Sequence, residues 1–153
     1  DQVSTILSES GLDAKHLVLE LTESVAMEKP NAAVAVIDNL KGQGIKVSID
    51  DFGTGYSSLS YLQILPITLL KLDRSFITNI EHDNIAYEIV SAVIRIAKSK
   101  KIETIAEGIK NTVQESILRM AGCDYGQGYL YGKPMPAQKL EEFFDLNAKS
   151  AMY

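Results

Sequence analysis

Carboxylates recur at the ends of short apolar runs in this sequence. Glu20 lies in LVLEL (Leu17–Leu21), Asp50 and Asp51 follow KVSI, Asp73 follows LLKL, and Glu107 ends ETIAE. Lys71 sits inside the third of these runs, and Gln127 lies in a further run at Tyr125–Tyr129. Carboxylate oxygens and retained waters are the ligands that Mg2+ and Mn2+ prefer. Adjacent aspartates can serve two ions, or one ion and its water. Two ions about 3.5–4 Å apart can generate a hydroxide and stabilise a phosphoryl transition state. A lysine among them would steady an anionic phosphate or the attacking water. Any one of these charges is equally well a rim ion pair, but five successive runs bearing a polar group there, four of them a carboxylate, point to a shared site.

Such groups converge only if the elements carrying them are parallel. Leu17–Leu21 reads as a buried strand, 31–41 as a helix with Pro30 at its start, and Lys46–Asp50 as the next strand. A short helix is expected near 57–63, a third strand at 69–73, and a helix at 84–100 with Ile85, Ile89, Val93 and Ile96 on its apolar face. Glu103–Gly108 reads as a fourth strand, 112–121 as a helix, Tyr125–Tyr129 as a fifth strand and 137–145 as a last helix. The opening DQVSTILSES reads as the later turns of a helix. Alternating strands and helices imply a parallel sheet, either open and doubly wound or closed as a (β/α)8 barrel. In both, the strand ends share one face. Strand parity puts Glu20 with Val18 and Thr22, and Lys71 with Leu69 and Asp73.

The bulk properties narrow the chemistry. The chain has 153 residues, 46% hydrophobic and 23% charged, with a net charge of -5 and a pI near 5.0. An acidic chain argues against a nucleic-acid backbone or an anionic membrane as main partner. One cysteine, Cys123, allows no internal disulfide, and a cytoplasmic setting fits. No apolar run approaches the roughly 20 residues of a membrane span. His16 and His82 fall in expected loops without zinc spacing, and there is no Walker loop. The chain reads as one domain, or as part of one.

Five segments then stand out together: ELTES (Glu20–Ser24), DDFGTGYSSLSYL (Asp50–Leu62), LLKLDRSFI (Leu69–Ile77), AEGI (Ala106–Ile109) and QGYLYGKPMP (Gln127–Pro136). In order and spacing this set resembles the motifs of EAL domains, the cyclic di-GMP phosphodiesterase family, over nearly the whole chain. The resemblance implies a TIM-type barrel that linearises cyclic di-GMP to pGpG with Mg2+ or Mn2+, two ions in the complete site. It implies Glu20, Asp50, Asp51 and Glu107 as metal ligands, and Lys71, Glu107 and Gln127 as catalytic residues, with Lys71 a candidate base. Asp73, Arg74 and Tyr129 are implied near the substrate. Glu23 would anchor the glycine-rich loop of Gly53, Thr54 and Gly55, which the family ties to dimerisation and activity.

Two departures qualify this. The Glu-Ala-Leu motif and the asparagine expected on the strand before Glu20, both metal ligands in the family, would lie N-terminal to Asp1, together with about three barrel strands. Residues 1–153 are therefore expected to form a partial EAL domain of about five strands. Position 110, three residues after Glu107, is often glutamate in the family and is lysine here. The expected function is metal-dependent hydrolysis of cyclic di-GMP. The alternative is an incompetent fragment that binds cyclic di-GMP or a protein partner. A homodimer, or association with the rest of the domain, would cover the open sheet edges of five strands.

Overall fold

Buried β-branched and leucine runs such as Val47–Ile49 and Leu69–Leu72 need neighbours on both faces and partners for their backbone groups. In the computed structural model, which describes residues 2–53 and 61–150, they obtain both from a parallel sheet with helices packed on it. The elements are α1 (Gln2–Ser10), β1 (Val18–Thr22), α2 (Glu23–Glu28), α3 (Pro30–Gly42), β2 (Lys46–Phe52), α4 (Tyr61–Ile64), β3 (Leu69–Leu72), α5 (Arg74–Thr78), α6 (Asn84–Ser99), β4 (Glu103–Glu107), α7 (Thr112–Ala121), β5 (Tyr125–Gln127) and α8 (Ala137–Ser150). A turn of 3-10 helix at Ala14–His16 precedes β1.

The sheet order is β1-β2-β3-β4-β5, every pair parallel. A doubly wound sheet reverses its strand order at a switch point. This one advances one strand at a time in a single direction, as a barrel wall does, so the fold is an incomplete barrel of the TIM type. The register brings the polar strand ends level: Thr22 pairs with Asp50, Lys71 with Ile105 and Glu107 with Gln127.

The core lies between the sheet and its helices. Val47, Ile49, Leu70, Leu72 and Ala106 meet Ile37, Ile77, Val90, Ile94, Ala97 and Leu118, each at most 2% exposed. Helix α6 starts where Asp83 accepts hydrogen bonds from the N–H groups of Ile85 and Ala86, at 2.8 and 3.2 Å. Its buried face is Val90, Ser91, Val93, Ile94 and Ala97. This corrects the face read from the sequence. Ile85 and Ile89 are 71% and 43% exposed, and Ile96 is only partly buried. The helix is apolar around much of its circumference, and docking on the sheet selects one of two rows that pattern alone leaves equal.

Other expectations shift as well. Strand β1 is not buried: Val18, Glu20 and Thr22 are exposed, because among the described residues it pairs on one side only. Strand β5 ends at Gln127, not Tyr129. Beyond it the Ile109 N–H donates to the Gln127 carbonyl and the Leu130 N–H to the Ile109 carbonyl. At Gly128 a Cβ would lie 2.1 Å from the Ile109 carbonyl oxygen, so the chain crosses β4's exit at a separation only glycine permits. Helices α2 and α5 had no counterpart in the sequence reading. Each is a short segment directly after a strand, too brief to show a period. Thr54, Gly55 and the first turn of the expected helix at 57–63 lie outside the described residues.

Candidate metal centre at the strand ends

Lys71 is the hub of the site. It stands in β3 with a side chain only 7% exposed, flanked by β2 and β4. Its ammonium contacts Glu107 Oε1 at 2.8 Å, Asp50 Oδ1 at 2.9 Å and Glu20 Oε1 at 3.0 Å. Burial works against its charge, but the hydrogen bonds it donates to the carboxylates of Glu107, Asp50 and Glu20 outweigh that and hold it above the ordinary lysine range. In this cage Lys71 is a donor. Of the two parts the resemblance gives it, contact with phosphate or water fits this state directly.

Asp50 and Asp51 meet a geometric problem, because consecutive strand residues point to opposite faces. The β2–β3 register shifts between Ile49 and Phe52, and Asp51 takes φ 54°, in the left-handed region. The bulge turns the second aspartate back beside the first. The Asp51 N–H donates to Asp50 Oδ1 at 3.0 Å. Carboxylate oxygens of Asp50, Asp51 and Glu107 come within 4.8 Å of one another. Oxygen-only donors at this spacing fit a hard divalent cation such as Mg2+ or Mn2+. Glu20 joins the site through Lys71 and does not belong to that triplet. Its side chain is 49% exposed.

The remaining predicted residues surround this centre. Glu23, 3% exposed and at the start of α2, accepts a hydrogen bond from the Gly53 N–H at 2.8 Å, so the glycine-rich loop is tied where it leaves β2. Gly53 has φ +102°, and a Cβ there would lie 1.9 Å from the Phe76 ring. Asp73 follows β3 as the N-cap of α5, accepting from the Ser75 N–H at 2.8 Å. Burial raises its pKa, but hydrogen bonds from Ser75 and Arg74 and the Arg74 charge outweigh burial and leave it below the usual carboxylate range. Gln127 is paired with Glu107 across β4 and β5. Arg74, Gln127, Tyr129 and Lys110 line a cleft of about 350 Å³ that opens on Glu107. A second cleft, between Glu115, Arg119, Cys123 and Tyr131, contains none of the strand-end carboxylates.

One positioning residue was not found in the sequence. Gln114, 3% exposed, accepts from the Lys110 N–H at 2.8 Å and donates to the Ile77 carbonyl at 3.4 Å. It fixes the exit of β4 against α5. The signal was present: Asn111 and Gln114 have capping-box spacing, and Asn111 accepts from the N–H groups of Val113 and Gln114.

The comparisons with known proteins converge on the same architecture. The family model for the EAL domain matches residues 1–134. The bifunctional diguanylate cyclase/cyclic di-GMP phosphodiesterase MucR of Pseudomonas aeruginosa is 43% identical over 140 residues, 92% of this chain and 20% of that protein. The solved MucR phosphodiesterase in complex with cyclic di-GMP superposes with a TM-score of 0.86 at 43% identity, over 92% of this chain and 57% of that one. A manganese and cyclic di-GMP complex of BlrP1 from Klebsiella pneumoniae gives a TM-score of 0.82 at 28% identity, over 87% of this chain and 34% of that one. The chain thus spans about a fifth of the length of its curated relative. A sequentially ordered parallel sheet, a carboxylate triplet on a β-bulge beside a buried lysine, and a family match over residues 1–134 lead to one conclusion: the chain belongs to the EAL domain family.

Proposed function

We propose that this chain is the C-terminal part of a cytoplasmic EAL domain that hydrolyses cyclic di-GMP to linear pGpG in second-messenger signalling. The observation that carries the reading is the triplet of Asp50, Asp51 and Glu107 oxygens within 4.8 Å of one another beside Lys71. Relatives named as cyclic di-GMP phosphodiesterases, and a relative solved with manganese and cyclic di-GMP, support it. On this reading Asp50, Asp51, Glu107 and Glu20 hold Mg2+ or Mn2+, joined by ligands from strands outside these residues. The bound ions supply Lewis acidity and a water of lowered pKa.

The chain's own residues then do the following. Lys71 donates to a non-bridging phosphate oxygen or to the attacking water. Glu107 and Asp50 keep its ammonium in place. Gln127, paired with Glu107 on the next strand, supports that carboxylate from the side. Asp73, Arg74 and Tyr129 border the dinucleotide. Glu23 anchors the glycine-rich loop at Gly53, and that loop, with Thr54 and Gly55, couples the site to a second copy. In the reaction a water oxygen bonds to phosphorus and one P–O3′ bond breaks. The 3′ oxygen leaves as a hydroxyl, and the linear product carries a 5′-phosphate.

Incubating the chain, and the same chain within its complete domain, with cyclic di-GMP and Mg2+ or Mn2+ tests this. The complete domain is expected to release pGpG, and Asp50→Ala to lower the rate by at least 100-fold. Binding without product in the complete domain would replace the enzyme with a non-catalytic binding module.

A further inference from the structure

The cleft beside Glu107 holds two cations that the carboxylate centre does not use. Arg74 begins α5, Lys110 follows β4, and both line it together with Thr78, Glu107, Gln127 and Tyr129. Among the described residues, neither the Arg74 guanidinium nor the Lys110 ammonium is in an ion pair. The Glu107 Oε1 nearest the centre is taken by Lys71 at 2.8 Å. Glu107 is the one carboxylate in that lining and is already held by Lys71, so two cations face a single, committed anion and the cleft favours a further anionic group.

Both are held on fixed backbone. Gly108 has φ +74°, and a Cβ there would lie 2.6 Å from the Arg74 Cβ, so the exit of β4 packs directly against the root of Arg74. The Lys110 N–H is bound by the buried Gln114 at 2.8 Å. Gly128, against the Ile109 backbone, closes the cleft from the β5 side. The remaining lining is compatible with a nucleotide: Gln127 offers an amide, and the Tyr129 ring is 63% exposed, with the Lys133 ammonium over it at 5.7 Å from its centroid.

We propose that Lys110 and Arg74 form a phosphate subsite beside the metal centre, and that Lys110 is a substrate-binding residue for the phosphate that the metal centre does not hold. The identity of the ligand as cyclic di-GMP rests on the function proposed above. The phosphate subsite itself rests on the cleft.

Inorganic phosphate, titrated into the 15N-labelled complete domain in EDTA, is the direct probe. Saturable shifts are expected at the amides of Gly108, Lys110, Gln127 and Gly128. Binding should weaken about tenfold in Lys110→Gln, the scale of one charge-assisted contact, and recover in Lys110→Arg. Absence of those shifts, or equal affinity in Lys110→Gln with an unchanged spectrum elsewhere, overturns the subsite. In the complete domain, Lys110→Gln is expected to raise KM for cyclic di-GMP about tenfold with little change in kcat. Hydrolysis with an unchanged KM removes the subsite and leaves the phosphodiesterase intact. Phosphate binding without any cyclic di-GMP binding keeps the subsite and removes the proposed substrate.

Discussion

At position 51 the backbone stands at φ 54°, a conformation that costs a non-glycine residue about 1 kcal/mol or more. It persists because it places a second carboxylate beside Asp50 and Glu107 where a regular strand would aim it at the opposite face. Lys71 carries the compensating charge. Replacing it by methionine leaves Glu20, Asp50 and Glu107 facing one another, and the expected loss is about 3 kcal/mol, the lower end for a broken buried pair because Glu20 is half solvated. The pH dependence has a definite sign. The Lys71 pKa is raised in the folded state, so its contribution is complete below the unfolded value of about 10.4 and is lost as pH rises through the higher folded value. Urea melts of wild type and Lys71→Met should therefore keep a constant stability gap from pH 7 to about 10, and the gap should narrow above that.

At the scale of elements, helix α6 shows how docking chooses among apolar faces. Ile94 is fully buried, whereas Ile85 is 71% exposed. Ile94→Ala is expected to cost about 3 kcal/mol through lost burial and the cavity left behind. Ile85→Ala should cost less than about 0.5 kcal/mol, as at other surface sites. Equal losses in thermal melts of the two variants would restore the face read from the sequence. The bulge in β2 and the short helices α2 and α5 act at the same scale. The two helices begin within two residues of a strand's end, which sets Glu23 and Arg74 at the end of the sheet that carries the clustered carboxylates.

At the scale of the molecule, the sheet has two outer strands. β1 and β5 each pair with one neighbour among the described residues. Strands with unpaired backbone groups recruit partners, and the solved EAL relative extends well past the 57% of its chain that this one covers. The chain on its own is expected to self-associate, and to become a defined species when the remaining strands of the domain are supplied. Light scattering coupled to size exclusion reads both states. A monodisperse monomer with a cooperative melt, from the chain alone, would contradict this expectation.

The one-dimensional pattern determined the order of strands and helices, the polar residues at the strand ends and the family motifs, because period, punctuation and residue type are local properties. Pro30, the run 112–121 and the carboxylates at 50, 51 and 107 were legible for that reason. What no local pattern contains was decided by the tertiary structure. Strand order chose the barrel wall over the doubly wound sheet, since neighbours in space are set by crossovers between distant segments. A β-bulge brought two adjacent aspartates to one face, and three separate strands enclosed Lys71. Packing also exposed β1 and selected the buried row of α6. The sequence alone named the strand-end carboxylates and their lysine. Only the fold brought Asp50, Asp51 and Glu107 within reach of one ion, because that distance is a sum over the whole sheet.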